Sequence, residues 1–294
     1  MLQVARLAPK LLGESADLVK RFLQGQQNPD GGFKDRAGRS DLYYTVFGLD
    51  GLIALQAEMP ANRVHAYLSG FGTGEGLDFV HLCCLARCWA ALQTGGLEKN
   101  LSAPGSWPDD LLMRIEGFRA ADRGYNPAPG KPVGTVYGCF LALGAYQDCR
   151  RTLPNAAGLE NCLQGLRAED GAWANDPKLT VGSTNATAAA ITILRQLGTP
   201  LPPAAGEWLL ARCHAEGGFL AMPNAPMPDL LSTATALHAL SSFPVAFDNI
   251  RERCLDFVDT LWVNDGGFHG HWGDDALDCE YTFYGLLALG HLAA

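Results

Sequence analysis

Two kinds of hydrophobic segment alternate along the chain. Stretches such as SADLVKRFLQGQQ and NIRERCLDFVDTLW carry apolar residues at helical spacing with polar and charged residues between them. A stripe of this kind predicts a helix lying on a core with its other side in water. Stretches such as YYTVFGLDGLIALQ, GTVYGCFLALGAY, NATAAAITILRQL, LLSTATALHAL and EYTFYGLLALGHL are apolar nearly all round and rich in Ala, Gly and Leu. A helix without a polar face is one enclosed by others, and its small side chains let neighbours approach closely. No run of strand alternation competes with this helical pattern.

A glycine-aromatic turn separates the two kinds of segment. It occurs as DGGF at Phe33, DRGYNPA at Tyr125, EDGAW at Trp173, EGGF at Phe219 and DGGF at Phe268, with gaps of 92, 48, 46 and 49 residues. The first gap is about twice the others, which predicts a worn unit between. The stretch GFGTGEGLDFVHLCCLARCWAAL supplies it, with the glycines but without the aromatic. Six units of about fifty residues therefore fill the chain, and a fixed period of that length means stacked supersecondary units that share one core. The expectation is an all-α domain spanning 1–294, in which six helical hairpins form an inner and an outer ring.

Charge and cysteine usage narrow the function classes. The net charge of -9 opposes binding to nucleic-acid phosphates. No apolar run approaches the roughly 20 residues of a membrane span. The start, MLQVARLAPKLLGESADL, has neither a long apolar core nor a clear cleavage site, so no secretion signal is expected. Nine cysteines, mostly in apolar stretches, suit buried thiols in a reducing, cytoplasmic setting better than a disulfide framework.

The DGGF turn followed by YT and GL-A-L resembles the β subunits of protein prenyltransferases and, more distantly, the squalene and terpene cyclases. The resemblance runs over the whole chain and implies their double ring of helices, the α/α toroid. It also implies that residues just after each turn converge on one rim of a central cavity. Aligned on the YT positions, Asp41, Asp78, Asp229 and Asp278 are equivalent, with Lys131 and Ser183 in the other two units. Three positions later stand Tyr44, His81, Gly134, Ala186, Ser232 and Tyr281. Capping of the helix that follows accounts for the aspartates but not for Tyr44 or His81.

In the prenyltransferases an Asp, a Cys two residues on and a His of the next repeat hold zinc, which keeps the acceptor thiol ionised. Taken in linear order, the last two repeats offer only Asp229 of those three ligands. A shifted cyclic order does better. Arg36 and Arg39 then match the basic pair that grips the prenyl diphosphate, Asp41 the metal Asp, Tyr43 the metal Cys, Tyr44 the diphosphate-binding Tyr, and His81 the metal His. Asp278 falls where the family has a diphosphate-binding His, so it would repel that group unless protonated or bridged by a cation such as Mg²⁺. The resemblance thus implies catalytic roles for Asp41, Tyr43, Tyr44 and Asp278. It implies substrate binding by Arg36, Arg39, Tyr281 and Lys131, and a metal, Zn²⁺, on Asp41 and His81 with Tyr43 in place of the thiolate. The dense cluster His269, His271, Asp274, Asp275, Asp278, Cys279 and Glu280 is a further place where a divalent metal could sit, although its spacing fits no standard zinc pattern.

The leading expectation is a prenyltransferase-like enzyme acting on an isoprenoid diphosphate in the central cavity, paired as in the family with a helical-repeat partner subunit. A terpene cyclase-like enzyme is the alternative, although the D-x-D-D acid string of class II cyclases is absent and WPDDLL and GDDALD are the nearest to it. A non-catalytic toroid binding a lipid or protein partner is the other.

Overall fold

A computed structural model describes residues 1–94, 107–244 and 248–294. Two short turns, α1 (Leu2–Ala5) and α2 (Pro9–Leu12), lead into α3 (Ala16–Gly25). The helices α4 (Leu42–Ala54), α5 (Ala61–Ser69), α6 (Phe79–Thr94), α7 (Trp107–Glu116) and α8 (Val136–Asp148) follow. The chain continues through α9 (Ala156–Gly165), α10 (Thr184–Leu197), α11 (Pro203–Leu210), α12 (Leu230–Leu240), α13 (Asp248–Thr260) and α14 (Cys279–Leu292). From α3 onward, even-numbered helices are the continuously apolar segments and odd-numbered ones the amphipathic segments. Each even helix packs on the next, and α14 packs on α4, so six inner helices close a ring. Each odd helix from α3 to α13 lies outside the inner helix that follows it. This is the α/α toroid.

The glycines of the turn are explained by what they touch. Gly31, Gly217 and Gly266 all have positive φ, and a Cβ on them would overlap the backbone carbonyls of Arg63, Arg253 and Leu18 respectively. Each turn thus presses against the outer helix of the following repeat, and Gly266 of the last repeat presses against α3 of the first. Only glycine tolerates both the backbone geometry and the approach.

Three of the turns are tied to their own inner helix through a threonine. The backbone N–H of Phe33, Trp173 and Phe219 donates to the buried hydroxyls of Thr45, Thr187 and Thr233 at 2.9–3.1 Å. At the equivalent point of the third repeat, Tyr125 donates to the Cys139 sulfur at 3.4 Å. The turn aromatics Phe33, Tyr125, Trp173, Phe219 and Phe268 are essentially fully buried between the rings.

Two features differ from the sequence expectation. In the first and fifth repeats the segment between turn and inner helix pairs with itself as a small antiparallel hairpin, Phe33–Lys34 with Ser40–Asp41 and Phe219–Leu220 with Pro228–Asp229. Two-residue strands are too short to leave an alternating pattern. In the third repeat the residue equivalent to the aspartates is Thr135, which caps α8 by accepting from the Gly138 N–H, so Lys131 lies four residues upstream in an exposed loop. The longer proline-rich connection ADRGYNPAPGKPVGT displaces the alignment there.

At the opposite end, the C-terminal ends of the inner helices bring together Asp50, Arg87, Asp148, Arg195, His238 and His291. Arg87 bridges Asp50 at 3.0 Å and Asp148 at 3.5 Å, while the His238 and His291 rings meet at 3.0 Å. Helix α1 packs on α4 and α14 at this end, and the Gly290 Cα lies against the Val4 carbonyl. The Met1 amine sits among Arg87, Arg195 and Asp50, and burial together with the two arginines lowers its pKa to about 6.

Candidate functional site

The N-terminal ends of the inner helices form the other rim. Asp41 accepts from the Tyr43 and Tyr44 N–H groups, Asp78 from His81, Asp229 from Ser232 and Asp278 from Tyr281. Ser183 accepts likewise from Ala186. The aspartates and Ser183 are therefore helix caps, and the aspartates complement the helix dipole. They also hold the residues one turn later in a common orientation around the rim.

A cleft of about 430 Å³ opens at this rim, lined by Asp35, Arg36, Ala37, Arg39, Asp41, Tyr43, Tyr44, Val80 and His81. The first hairpin supplies the arginines, α4 the tyrosines and α6 the histidine. Arg36, Arg39, Asp41, Tyr43, Tyr44 and His81 are thus brought together as the shifted cyclic order implies. Lys131 is not among them.

The cations of the cleft are already engaged. Arg36 reaches across the ring closure to Asp278 at 2.8 Å and to Asp274 at 2.8 and 3.2 Å, and its guanidinium lies 5.3 Å from the centre of the Tyr281 ring. Asp278 in the position of the family's histidine therefore pairs with a cation that the chain itself supplies. Arg39 pairs with Asp35 at 3.0 Å and is largely exposed. His81 stands between two carboxylates, with Nε2 3.2 Å from Asp41 and Nδ1 2.9 Å from Asp78. The bond to Asp41, opposed by burial and reinforced by Asp78, raises its pKa to about 9, so at neutral pH it is an imidazolium. The Tyr281 ring lies against Arg36, and Tyr44 lines the cleft with its hydroxyl pushed up to about 12 by burial and by the charges of Asp278 and Glu280.

Zinc does not fit these donors. An imidazolium held on both nitrogens has no lone pair for a metal. The Tyr43 phenol donates to Glu280 at 2.6 Å, and burial pushes its ionisation far above the ordinary phenol range. The thiol of Cys84 on α6 is buried and likewise raised by burial. That leaves the carboxylates of Asp41 and Asp78, where zinc binding needs three or four nitrogen, sulfur or oxygen ligands. Among the described residues, no group of three or more His, Cys, Asp and Glu side chains stands close enough to hold a metal ion. In the HGHWGDDALDCE cluster, Asp274 is spent on Arg36 and on the Gly270 and Ala276 N–H groups, and His269 faces the Ala276 carbonyl.

Below the rim, the hollow of the ring shows itself in the burial pattern. Besides positions at the two rims, every inner helix but α6 leaves a pair of residues one turn apart that is not buried: Tyr43 and Phe47, Tyr137 and Leu141, Asn185 and Ala189, Leu231 and Thr235, and Glu280 and Tyr284. These positions face the centre. Tyr43 and Phe47 meet edge to face at 5.0 Å, and Phe47 contacts Phe283 at 5.9 Å and Tyr284 at 5.4 Å. One side of the hollow is aromatic. The other is small and polar, where the Thr235 hydroxyl donates to the Asn185 side-chain oxygen Oδ1 at 2.9 Å. Glu280 escaped the sequence reading as a separate site because its partner Tyr43 is 237 residues away and only ring closure joins them.

The profile of the prenyltransferase alpha-alpha toroid domain matches residues 8–93 and 159–293. The chain belongs to that family. Its structure resembles Candida albicans protein geranylgeranyltransferase-I complexed with GGPP, with a TM-score of 0.65 at 12% identity over 94% of this chain and 90% of the other. It also resembles a variant of the type II terpene cyclase MstE from Scytonema in complex with geranylgeranyl dihydroxybenzoate, with a TM-score of 0.62 at 14% identity over 97% of each chain. A protein from Actinoplanes gives 0.63 at 18% identity, over 96% of this chain and 99% of the other. Comparison with curated proteins finds no match by sequence. Among the described residues, no helix is long and apolar enough to cross a membrane.

Proposed function

We propose that this toroid is a prenyltransferase-like enzyme that takes an isoprenoid diphosphate at the rim cleft and lays its hydrocarbon chain in the hollow. The observation that carries this reading is the continuity of the two surfaces. Arg36, Arg39, Tyr44 and His81 line the cleft, and Tyr43 is shared between the cleft and the aromatic side of the hollow. Guanidinium, imidazolium and phenol groups are the donors that stabilise charge growing on a departing diphosphate, and aromatic faces stabilise an allylic cation. The structural relatives complexed with GGPP and with geranylgeranyl dihydroxybenzoate support an isoprenoid as the guest. The cleft also carries Asp35 and Asp41, with Asp78 behind His81, so the diphosphate would enter as its Mg²⁺ complex, the metal serving as its counter-ion. A helical-repeat partner subunit and a cytoplasmic setting belong to this proposal, the latter supported by eight buried free cysteines.

Titration with geranylgeranyl diphosphate, with and without Mg²⁺, tests it. The expected result is binding that weakens at least about tenfold in Arg39→Ala, since a hydrogen bond to a charged group contributes about 1.5–3 kcal/mol. Equal affinity in the variant, or no binding in either condition, would refute diphosphate capture and leave the ring as a scaffold for a lipid or protein partner. A terpene cyclase-like reading is favoured by one observation, the Glu280 carboxyl inside the hollow, which gives the site a proton-carrying group.

A further inference from the structure

Glu280 is the one carboxyl group on the hollow-facing positions of the upper turns of the inner helices among the described residues. No cation pairs with it there. The Tyr43 hydroxyl donates a hydrogen bond to it at 2.6 Å. Tyr284 lies one turn below it, and Phe47 lies against both Tyr43 and Tyr284. Tyr137, on the diametrically opposite inner helix, feels its charge across the gap. A carboxyl enclosed by phenol and phenyl rings with one hydrogen-bond donor is poised to exchange a proton or face a cation, because its surroundings do neither permanently.

Resting on the function proposed above, we infer that Glu280 is the catalytic carboxylate of the hollow: it faces the reacting carbon of the prenyl group and receives the proton of the acceptor. In that step the C1–O bond of the prenyl diphosphate breaks and its electron pair leaves with the diphosphate. A lone pair of the acceptor forms the new bond to C1, and the acceptor's proton passes to a Glu280 oxygen. The acceptor is then a neutral O–H or N–H nucleophile that needs a base, rather than a thiol ionised by a metal. This agrees with Tyr43 standing where the family has a thiolate and turning its hydroxyl to Glu280.

The electrostatic surroundings fit the role. Burial raises the Glu280 pKa to about 7, the Tyr43 hydrogen bond opposes the rise, Asp278 adds to it and Arg36 opposes it. Tyr44 on α4 and Tyr281 and Tyr284 on its own helix feel its charge, and Asp229 on the neighbouring α12 acts on Tyr281 and Tyr284. The carboxyl is thus divided between its acid and base forms near neutrality.

Two probes test the inference without knowledge of the acceptor. N,N-dimethylgeranylgeranylamine, a cation at neutral pH, mimics the charged prenyl group, and geranylgeraniol is its neutral counterpart. Wild-type affinity for the amine should rise about tenfold between pH 6 and pH 8, following ionisation of a group with a pKa near 7, while affinity for the alcohol stays constant. Glu280→Gln should abolish the rise and leave alcohol binding unchanged, which separates Glu280 from every other group titrating in that window. Tyr43→Phe should shift the rise to higher pH, since the hydrogen bond that favours the carboxylate is gone. Amine affinity that is absent, flat with pH, or still rising in Glu280→Gln would overturn the inference even where geranylgeranyl diphosphate binds. Failure of the diphosphate to bind while the amine tracks Glu280 would refute diphosphate capture alone.

Discussion

Replacing Arg36 with alanine removes the ion pairs that join the first repeat to the last. The Arg36 side chain is 40% exposed, whereas those of Asp274 and Asp278 are 10% and 2% exposed. Unit charges about 4 Å apart at an effective dielectric of about 20 attract by roughly 4 kcal/mol. Desolvation and the solvent exposure of Arg36 take back about half of that. The variant leaves Asp278 buried with only its capping bond to the Tyr281 N–H, so the net cost should be about 2 kcal/mol, or about 3 °C in melting temperature for a chain of this length. Urea denaturation of the wild type, Arg36→Ala, Asp278→Asn and the double variant measures it, and the double variant should cost less than the sum because the partners share one interaction. The Asp274 pKa is held low: burial opposes the shift, but the Arg36 hydrogen bonds and backbone donors outweigh it. Stability from a depressed carboxylate is present above its unfolded pKa and is lost as pH falls, so the Arg36→Ala penalty should shrink below about pH 4. A cost under about 0.5 kcal/mol at pH 7, or additive singles, would show that the Arg36 ion pairs do not hold the ring closed.

Further outcomes follow from single residues. His81 has a folded pKa above its unfolded value, so its stabilisation is fully present below about pH 6.5 and fades as pH rises through about 9. Glutamine at this position should flatten that slope in denaturation curves and cost about 1.5 kcal/mol at pH 7 after allowance for exposure; an unchanged slope would mean that the imidazolium clamp does not form. Thr233→Val should cost about 1–3 kcal/mol, because the buried Phe219 N–H loses its acceptor, and hydrogen exchange at Phe219 should speed up correspondingly. Protection equal to wild type would sink the proposed tie between turn and inner helix.

Much of the ring was legible from local pattern. The alternation of enclosed and striped helices, the glycine turn and the period near fifty residues are properties of contiguous sequence, and they specify both layers. The convergence of Arg36, Arg39, Tyr44 and His81 followed from the shifted cyclic order. What these groups bind in the resting protein did not. Arg36 and Asp278 lie 242 residues apart, and no local spacing reveals that the arginine the resemblance assigns to a diphosphate is already held by carboxylates. Thr135 was missed as a cap because a hydroxyl replaced the expected acid next to a longer loop. Tyr43 was placed at the site, but its hydrogen bond to Glu280 depends on the side-chain direction across the helix interface.

The turn formed by Leu2–Ala5 lies under α4 and α14 at the far end of the hollow, beside the Arg87 and histidine pairs. On the function proposed above, that turn would make the toroid a cup and not a pipe. Guest and product would then share one mouth, which obliges an order of arrival and departure. The depth from the rim to α1 would act as a ruler: tails longer than the cup would fold back on themselves, and removing the floor should relax that length limit.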